Sequence, residues 1–440
     1  MHAAAHAVIP PLNNFPTQGR RALREFSSGH DDGPSMIYQA YRTQANFLDQ
    51  VRPLAAAAGS ALRLPWPRLG QDWPLHTLAG VLETFANLTV SHARLPFGIE
   101  SVPAGNQLVP VTEEAVCSTP FATLLHFKKA TGAGQPRVLL VAPMSGHFAT
   151  LLRATVKTML TGHDVYITDW HNIRDVPLAG GRFDFGTFID HLVEFLRVMG
   201  AGSHVVAVCQ PCVPVLAAAA LMAEDGDAAQ PRSMTLMAGP IDTRVNPTKV
   251  NELAIQKPIA WFEQNLIAKV PRGYKGATRQ VYPGFMQLAA FMSMNLDRHL
   301  RSFMDMVEAR AAADQSKFQF IQAFYEEYFA VMDLPAEFYL ETVKLVFQDH
   351  ALPLGKLEVH GRRVNPGAIK RTALLTVEGE RDDICGLGQT LAAQDLCTGL
   401  RQYMKMHHVQ TGVGHYGVFS GRRWNNEVYP MVRDIIQITD

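Results

Sequence analysis

From about residue 106 the chain alternates short apolar, β-branched runs with longer stretches of helical periodicity. ATLLHFKK, RVLLVAP, DVYITDW, SHVVAVC and SMTLMAG read as strands, and FATLLRATVKTMLT, FGTFIDHLVEFLRVMG and VPVLAAAALMAED read as the helices between them. Near-continuous apolar strands separated by helices predict a parallel sheet covered on both faces. From about 246 to 365 the alternation stops, and FMQLAAFMSMNLDRHLRSFMDM and FQFIQAFYEEYFAVM are helical in pattern and heavy in aromatic residues and methionine. Alternation resumes with RTALLTVEGE, a helix-like LGQTLAAQDLCTGL, a strand-like YMKMHHVQT and a closing helix around VYPMVRDIIQI. The pattern predicts one doubly wound α/β domain, its first part at 106–245 and its second at 366–440, interrupted by a helical cap insertion at 246–365.

Residues 1–35 mix prolines, glycines, serines and charges without periodicity and end in SSGHDDGPS, so they are expected to be disordered. Met36 opens a helix-like stretch, and the prefix reads either as the product of an unused upstream start or as a mobile arm. With a second stretch, LHTLAGVLETFANLTVSH, it makes 36–105 an N-terminal helical segment.

Lysines plus arginines balance aspartates plus glutamates at 40 each, so no global field favours a polyanion and nucleic acid is excluded as the main partner. The five cysteines are few and odd in number, which does not describe a disulfide framework and points to a reducing compartment. The opening MHAAAHAVIPPLNNFPTQGRR lacks the order of a signal peptide, and VPVLAAAALMA is too short to cross a bilayer.

The sharpest chemical signal is SHVVAVCQPCVPVLAAAALMA, where a buried-type strand runs straight into a helix with Cys209 at the corner. A side chain at such a corner stands at the carboxyl end of the strand, and the helix N-terminus offers it backbone N–H groups and a positive dipole end that favour a thiolate. The usual corner is G-x-S-x-G; here Ala207 and Pro211 replace both glycines. A buried cysteine ending a strand would read the same way. Cys209-Gln210-Pro211-Cys212 also matches C-x-P-C redox sites, although a thioredoxin-like unit is small and Cys209 lies deep in a long alternating region. A zinc site lacks a second ligand pair. Cys212, one turn into the helix, reads as a packed small hydrophobe.

A nucleophile needs a base, and the base an orienting acid. His415 sits in the loop Gly412-Val413-Gly414-His415-Tyr416-Gly417 between the last strand and the last helix, whereas His407 and His408 lie inside the strand. The run TALLTVEGERDD ends in Glu380, Asp382 and Asp383, with Asp382 favoured by its spacing from Gly379 and Asp383 second. Cys209, Asp382 and His415 follow the nucleophile, acid, histidine order of the α/β-hydrolases. An oxyanion hole needs the N–H of Gln210 and one from the loop after RVLLVAP; Pro143 has none, which leaves Met144 or Ser145.

Together VLLVAPMSGHFATLLRATVKTML, DVYITDWHNIRDVP, the VCQP corner, LTVEGERDDICG and GVGHYGVFSGRRW resemble the intracellular polyhydroxyalkanoate (poly-3-hydroxybutyrate) depolymerases of bacteria, a family of the α/β-hydrolase superfamily. The resemblance runs from Met36 nearly to the C-terminus. It implies a cysteine nucleophile in a degenerate lipase box, with Cys209 as nucleophile, Asp382 as acid and His415 as base. It further implies action on amorphous storage granules in the cytoplasm, with the polymer and the granule surface as partners and no metal or organic cofactor. The polymer synthases are similar in chemistry but keep a G-x-C-x-G box, and a non-catalytic granule-binding protein is the alternative outside catalysis.

Overall fold

The computed structural model of the chain describes residues 33–62, 78–79, 81–83, 90–130, 134–294 and 296–440. Of the prefix 1–35, expected to be disordered, residues 1–32 lie outside the described residues, as does much of the second N-terminal stretch, while Gly33, Pro34 and Ser35 open the helix Gly33–Leu62.

Among the described residues fourteen strands follow in chain order: β1 Ser101–Ala104, β2 Gln107–Ser118, β3 Ala122–Lys129, β4 Arg137–Val141, β5 Asp164–Trp170, β6 His204–Val208, β7 Ser233–Met237, β8 Ala268–Lys269, β9 Gln280–Tyr282, β10 Leu334–Pro335, β11 Glu358–Val359, β12 Arg362–Arg363, β13 Ala373–Gly379 and β14 Lys405–Gln410. Nine of them make one sheet in the order β1-β2-β3-β5-β4-β6-β7-β13-β14. From β5 to β14 every neighbouring pair is parallel, while β1, β2 and β3 join on antiparallel. Beyond the added edge strand β1, this order, with its early antiparallel strand and its exchange of β4 and β5, is the α/β-hydrolase sheet.

Every residue of β6, β7 and β13 is buried, which is why these strands read as unbroken apolar runs. The helix Cys212–Glu224 is buried almost all round, and its run of alanines lets it lie close against the sheet. The helix Phe185–Met199 starts at Asp184, whose side chain accepts from the Thr187 N–H, and stops at Gly200, whose φ of 81° only glycine adopts at no steric cost. Most of β2 is exposed, so QLVPVTEEAVCS carries no apolar run to announce it. The segment LGQTLAAQDLCTGL is mostly turns, with a helix only at Ala392–Leu396. Its N–H groups are taken by a buried carboxylate: Glu378 on β13 accepts from Gly388, Thr390 and Leu391.

Between β7 and β13 the chain leaves the main sheet. It forms the helices Lys249–Gln256, Ile259–Leu266, Gly284–Met294, Leu296–Ala311, Gln315–Tyr328 and Ala336–Thr342, with β10-β9-β8 as a small sheet beside them. Leu288, Met306, Phe318, Tyr325, Tyr328 and Val331 belong to a core of this region's own. A fully buried carboxylate fastens it. Asp333 accepts from the Tyr38 hydroxyl at 2.8 Å and the Gly284 N–H at 3.0 Å, while its own N–H donates to Asn172 Oδ1 at 3.0 Å. Tyr38 lies on the helix Gly33–Leu62, so one acid ties three parts of the chain together.

Candidate active site

Cys209 stands where β6 meets the helix Cys212–Glu224, with φ of 65°. The left-handed region costs a non-glycine residue on the order of 1–3 kcal/mol and persists where surroundings enforce it. Here β7 does so: the Cys209 N–H donates to Met237 O at 2.8 Å, and the Cys212 N–H donates back to Cys209 O at 3.1 Å. Both departures from the usual glycines fit this corner. Ala207 is fully buried within β6, and Pro211 caps the helix with φ of −63°, at a position where a helix needs no N–H. Cys212 is fully buried, its thiol directed to the carbonyl oxygens of Ala207 and Met237 at 3.6 Å. Burial pushes this thiol well up, and the neighbouring Cys209 adds to the rise. A Cβ on Gly239 would lie 2.3 Å from its sulfur, so Cys212 fills a packed space.

Asp382 and His415 come from the ends of neighbouring strands β13 and β14, and their loops are laced together. Glu380 N–H donates to Gln410 O, Arg381 N–H to Val413 O, and Gly412 N–H to Glu380 Oε2. Gly379 permits the approach, since a Cβ there would come within 3.0 Å of Val418. The lacing puts His415 Nδ1 2.8 Å from Asp382 Oδ2. The other oxygen of Asp382 accepts from the N–H groups of Ile384 and Cys385, both at 2.9 Å, so the acid is held at both ends. The Asp382 side chain is fully buried and that of His415 nearly so. Burial alone would lower the pKa of His415, but Asp382, which attracts the charged ring and is hydrogen-bonded to it, and the nearby Cys209 raise it well above the ordinary value. The imidazole therefore links the other two sequence-predicted groups. Glu380 serves the lacing of the loops instead, and His407 bonds Thr376 within the sheet.

The loop after β4 is held from β5: Ala142 N–H donates to Thr168 Oγ1 and Trp170 Nε1 donates to Ala142 O. Its next residues meet the insertion, where Met332 N–H donates to Gly146 O and His147 bridges Val331. His147 is buried, its pKa lowered by burial to about 4, and its Nε2 pairs with Tyr328 O, so it serves the seam. Among the described residues, no protein acceptor takes the N–H of Met144, Ser145 or Gln210.

Sequence reasoning missed Tyr416 as a neighbour of the site, and it named Gln210 for its backbone N–H but not for its side chain. Tyr416 follows His415 and packs against the ring of Tyr328 of the insertion at 6.2 Å, and Phe324 meets its ring edge-on at 6.5 Å. The side-chain amide of Gln210 has its nitrogen and oxygen both buried. An aromatic beside the histidine and a glutamine beside the cysteine were the signals available.

Among the described residues no helix is long and apolar enough to cross a membrane. A search of curated proteins gives no match. Among solved structures the chain is similar to 2-hydroxy-6-oxo-6-phenylhexa-2,4-dienoate hydrolase from Rhodococcus sp. strain RHA1, with 14% identity, 75% of this chain and 99% of that one covered, and a TM-score of 0.42. It is similar to the same extents to the α/β hydrolase GrgF from Penicillium sp. sh18, at 14% identity and a TM-score of 0.42. Epoxide hydrolase A from Mycobacterium thermoresistibile gives 12% identity, the same coverage and a TM-score of 0.42. Residues 238–440 match the family described as PHB de-polymerase C-terminus, a segment that holds Asp382 and His415 and begins after Cys209. This segment is similar to that family, and the order of the main sheet is that of the α/β-hydrolase fold.

Proposed function

We propose that this protein hydrolyses the ester bonds of amorphous poly(3-hydroxybutyrate) on cytoplasmic storage granules through an acyl-enzyme on Cys209. The observation that carries the reading is the junction of a strained cysteine corner with an Asp382–His415 pair at 2.8 Å, in a chain whose family match includes both pair members. His415 takes the proton of Cys209, and the thiolate adds to an ester carbonyl. The N–H groups of Gln210 and of Met144 or Ser145 hold the oxyanion, a contribution of about 10²–10³ in rate per donor. His415 then protonates the leaving alkoxide, and afterwards takes a proton from the water that splits the thioester. Asp382 fixes the ring's orientation and stabilises its charged form. The chemistry asks nothing of a metal or organic cofactor. The helical insertion between β7 and β13 is the cap under which the polymer strand would lie.

The C-x-P-C redox reading needs a second reactive thiol, and Cys212 is enclosed with its pKa pushed well up. The test is purified protein on native granules, with release of soluble 3-hydroxybutyrate as the readout. Cys209→Ala should lower the rate by at least about 10³, as loss of a covalent nucleophile does, while Cys212→Ala should keep most of it. Iodoacetamide should inactivate with a single label on Cys209. Equal loss in both variants would remove the assignment, and granules left intact with acyl transfer to another acceptor would make the protein a transacylase.

A further inference from the structure

Among the described residues four side-chain amides have a nitrogen or oxygen that is buried without a partner: Asn172, Gln210, Asn251 and Gln287. Asn172 is nevertheless anchored through its oxygen, which accepts from Asp333 N–H, and Asn251 through its oxygen, which accepts from Thr248 N–H and Gln389 Nε2. Gln210 is anchored at neither end, since both Nε2 and Oε1 are buried and unpartnered. An unmade hydrogen bond at a buried polar group is costly, and native proteins keep few such groups. This one directly follows Cys209.

Gln287 is the second. Its Oε1 is buried without a partner, and it lies against the loop after β4, where a Cβ on Gly146 would be 2.6 Å from that oxygen. Strands β4 and β6 are neighbours, with Val141 beside Ala207, so the two loops rise from one stretch of sheet edge. Gln287 itself belongs to the helix Gly284–Met294 of the insertion. Together the two amides offer one unpaired donor and two unpaired acceptors. An internal ester can satisfy the donor and neither acceptor, because an ester has no hydrogen to give. A hydroxyl can satisfy both kinds at once.

We propose that Gln210 and Gln287 form a hydroxyl-binding subsite, which holds the free 3-hydroxyl of the terminal hydroxyacyl unit while that unit's carbonyl meets Cys209. This rests on the thiol-hydrolase reading above and goes beyond it by fixing which ester is cut. In a 3-hydroxyacyl group the hydroxyl carbon is two carbons from the carbonyl carbon, so an acyl group on Cys209 keeps its hydroxyl beside the next residue. The thiolate adds to the terminal carbonyl, the C–S bond forms and the ester C–O bond breaks. The departing alkoxide takes the proton of His415 and becomes the hydroxyl end of a shortened chain. Water then splits the thioester, giving its proton to His415 and releasing one 3-hydroxy acid and the thiolate. Each cut presents a new hydroxyl end, so the enzyme trims its substrate one monomer at a time.

The test measures binding to Cys209→Ala protein, so that it does not depend on turnover. Two probes are compared: a linear trimer of 3-hydroxybutyrate and the same trimer with its hydroxyl end acetylated. The free trimer should bind about tenfold tighter, the size of one well-made neutral hydrogen bond. Gln210→Met in that background should erase the difference without lowering the melting temperature, and Gln287→Met should reduce it. If the Gln210 variant does not fold, the Gln287 variant decides. Equal binding of the two trimers overturns the subsite, and so does an equal loss for both trimers in the variants. Granules left intact by the unaltered enzyme would instead overturn the hydrolase reading, while the preference in binding would still be read.

Discussion

The sheet edge and the helical insertion above it satisfy their side chains in opposite ways. At the edge, both oxygens of Asp382 are engaged, the acid is fully buried, and the loops of β13 and β14 are bonded to each other before they reach His415. In the insertion, Leu300, Met304 and Phe320 are half-exposed or more, and Gln287 keeps a buried oxygen without a partner. A group that must hold one geometry through a reaction is best bound on every side, because orientation is what it contributes. A surface that must admit a flexible apolar chain is left with contacts to make. On the proposed function, the chemistry is built into the edge, and access to it is built into the insertion.

The largest expected effect breaks the edge. Asp382→Asn keeps the shape but removes the charge, and it should lower the hydrolysis rate by about 10²–10⁴, as loss of the orienting charge does in such triads. The pH profile distinguishes this from mere misfolding. In the unaltered protein Asp382 and Cys209 hold the pKa of His415 well above its ordinary value, so the imidazolium proposed to protonate the leaving group persists to higher pH. Without the Asp382 charge that pKa falls, and the alkaline limb of the rate profile should move to lower pH. A uniformly reduced rate with an unmoved limb would mean that Asp382 acts on structure alone.

A smaller effect tests whether the insertion is held as firmly as the edge at a buried acid that ties it to the rest of the chain. Tyr38→Phe removes the hydroxyl that donates to Asp333, which should cost about 1–3 kcal/mol and lower the melting temperature by a few degrees. Burial raises the carboxyl of Asp333 above its unfolded value, against the pull of Gly284 N–H, Tyr38 and Arg174. A raised carboxyl contributes stability that is present at low pH and lost as pH rises through the folded pKa. Losing a donor to the carboxylate raises that pKa further, so the penalty should be larger on the alkaline side. An equal penalty at all pH values would show that the hydroxyl contributes packing only.

The edge was legible in the sequence because its signals are local and categorical. Strands buried on both faces read as apolar runs, and a strand, a single reactive residue and a helix in unbroken succession mark Cys209 even with its glycines gone. Asp382 and His415 each follow such a run, which makes their pairing expected from the sequence. What was not legible depends on residues far apart in the chain. Nothing near Gly388 or Thr390 says that Glu378 will take their N–H groups and shorten a helix, and nothing near Tyr416 announces Tyr328 across the seam. The strand β2 was hidden for the converse reason: an exposed edge strand keeps its polar residues and shows no run.

The smallest expected effect separates access from chemistry. Phe320 is 79% exposed and lies one helical turn before Phe324, which is stacked on Tyr328 at 5.5 Å and meets Tyr416 edge-on. Tyr416 in turn adjoins His415, so an apolar line runs from the surface of the insertion to the imidazole. An aliphatic polyester strand following that line would cover Phe320 first. Because the ring is already in water, Phe320→Ser removes no core contact, and stability should change by less than about 0.5 kcal/mol. Partial covering of one ring is worth about 1 kcal/mol, so hydrolysis of amorphous granules should fall roughly fivefold. Hydrolysis of a short soluble ester, which never reaches so far out, should stay the same. Crystalline polymer, which offers few free strands, should be degraded poorly by both proteins. If the soluble ester and the granules lose rate in step while the fold is intact, the line is part of the catalytic frame, and the division between edge and insertion drawn above does not hold.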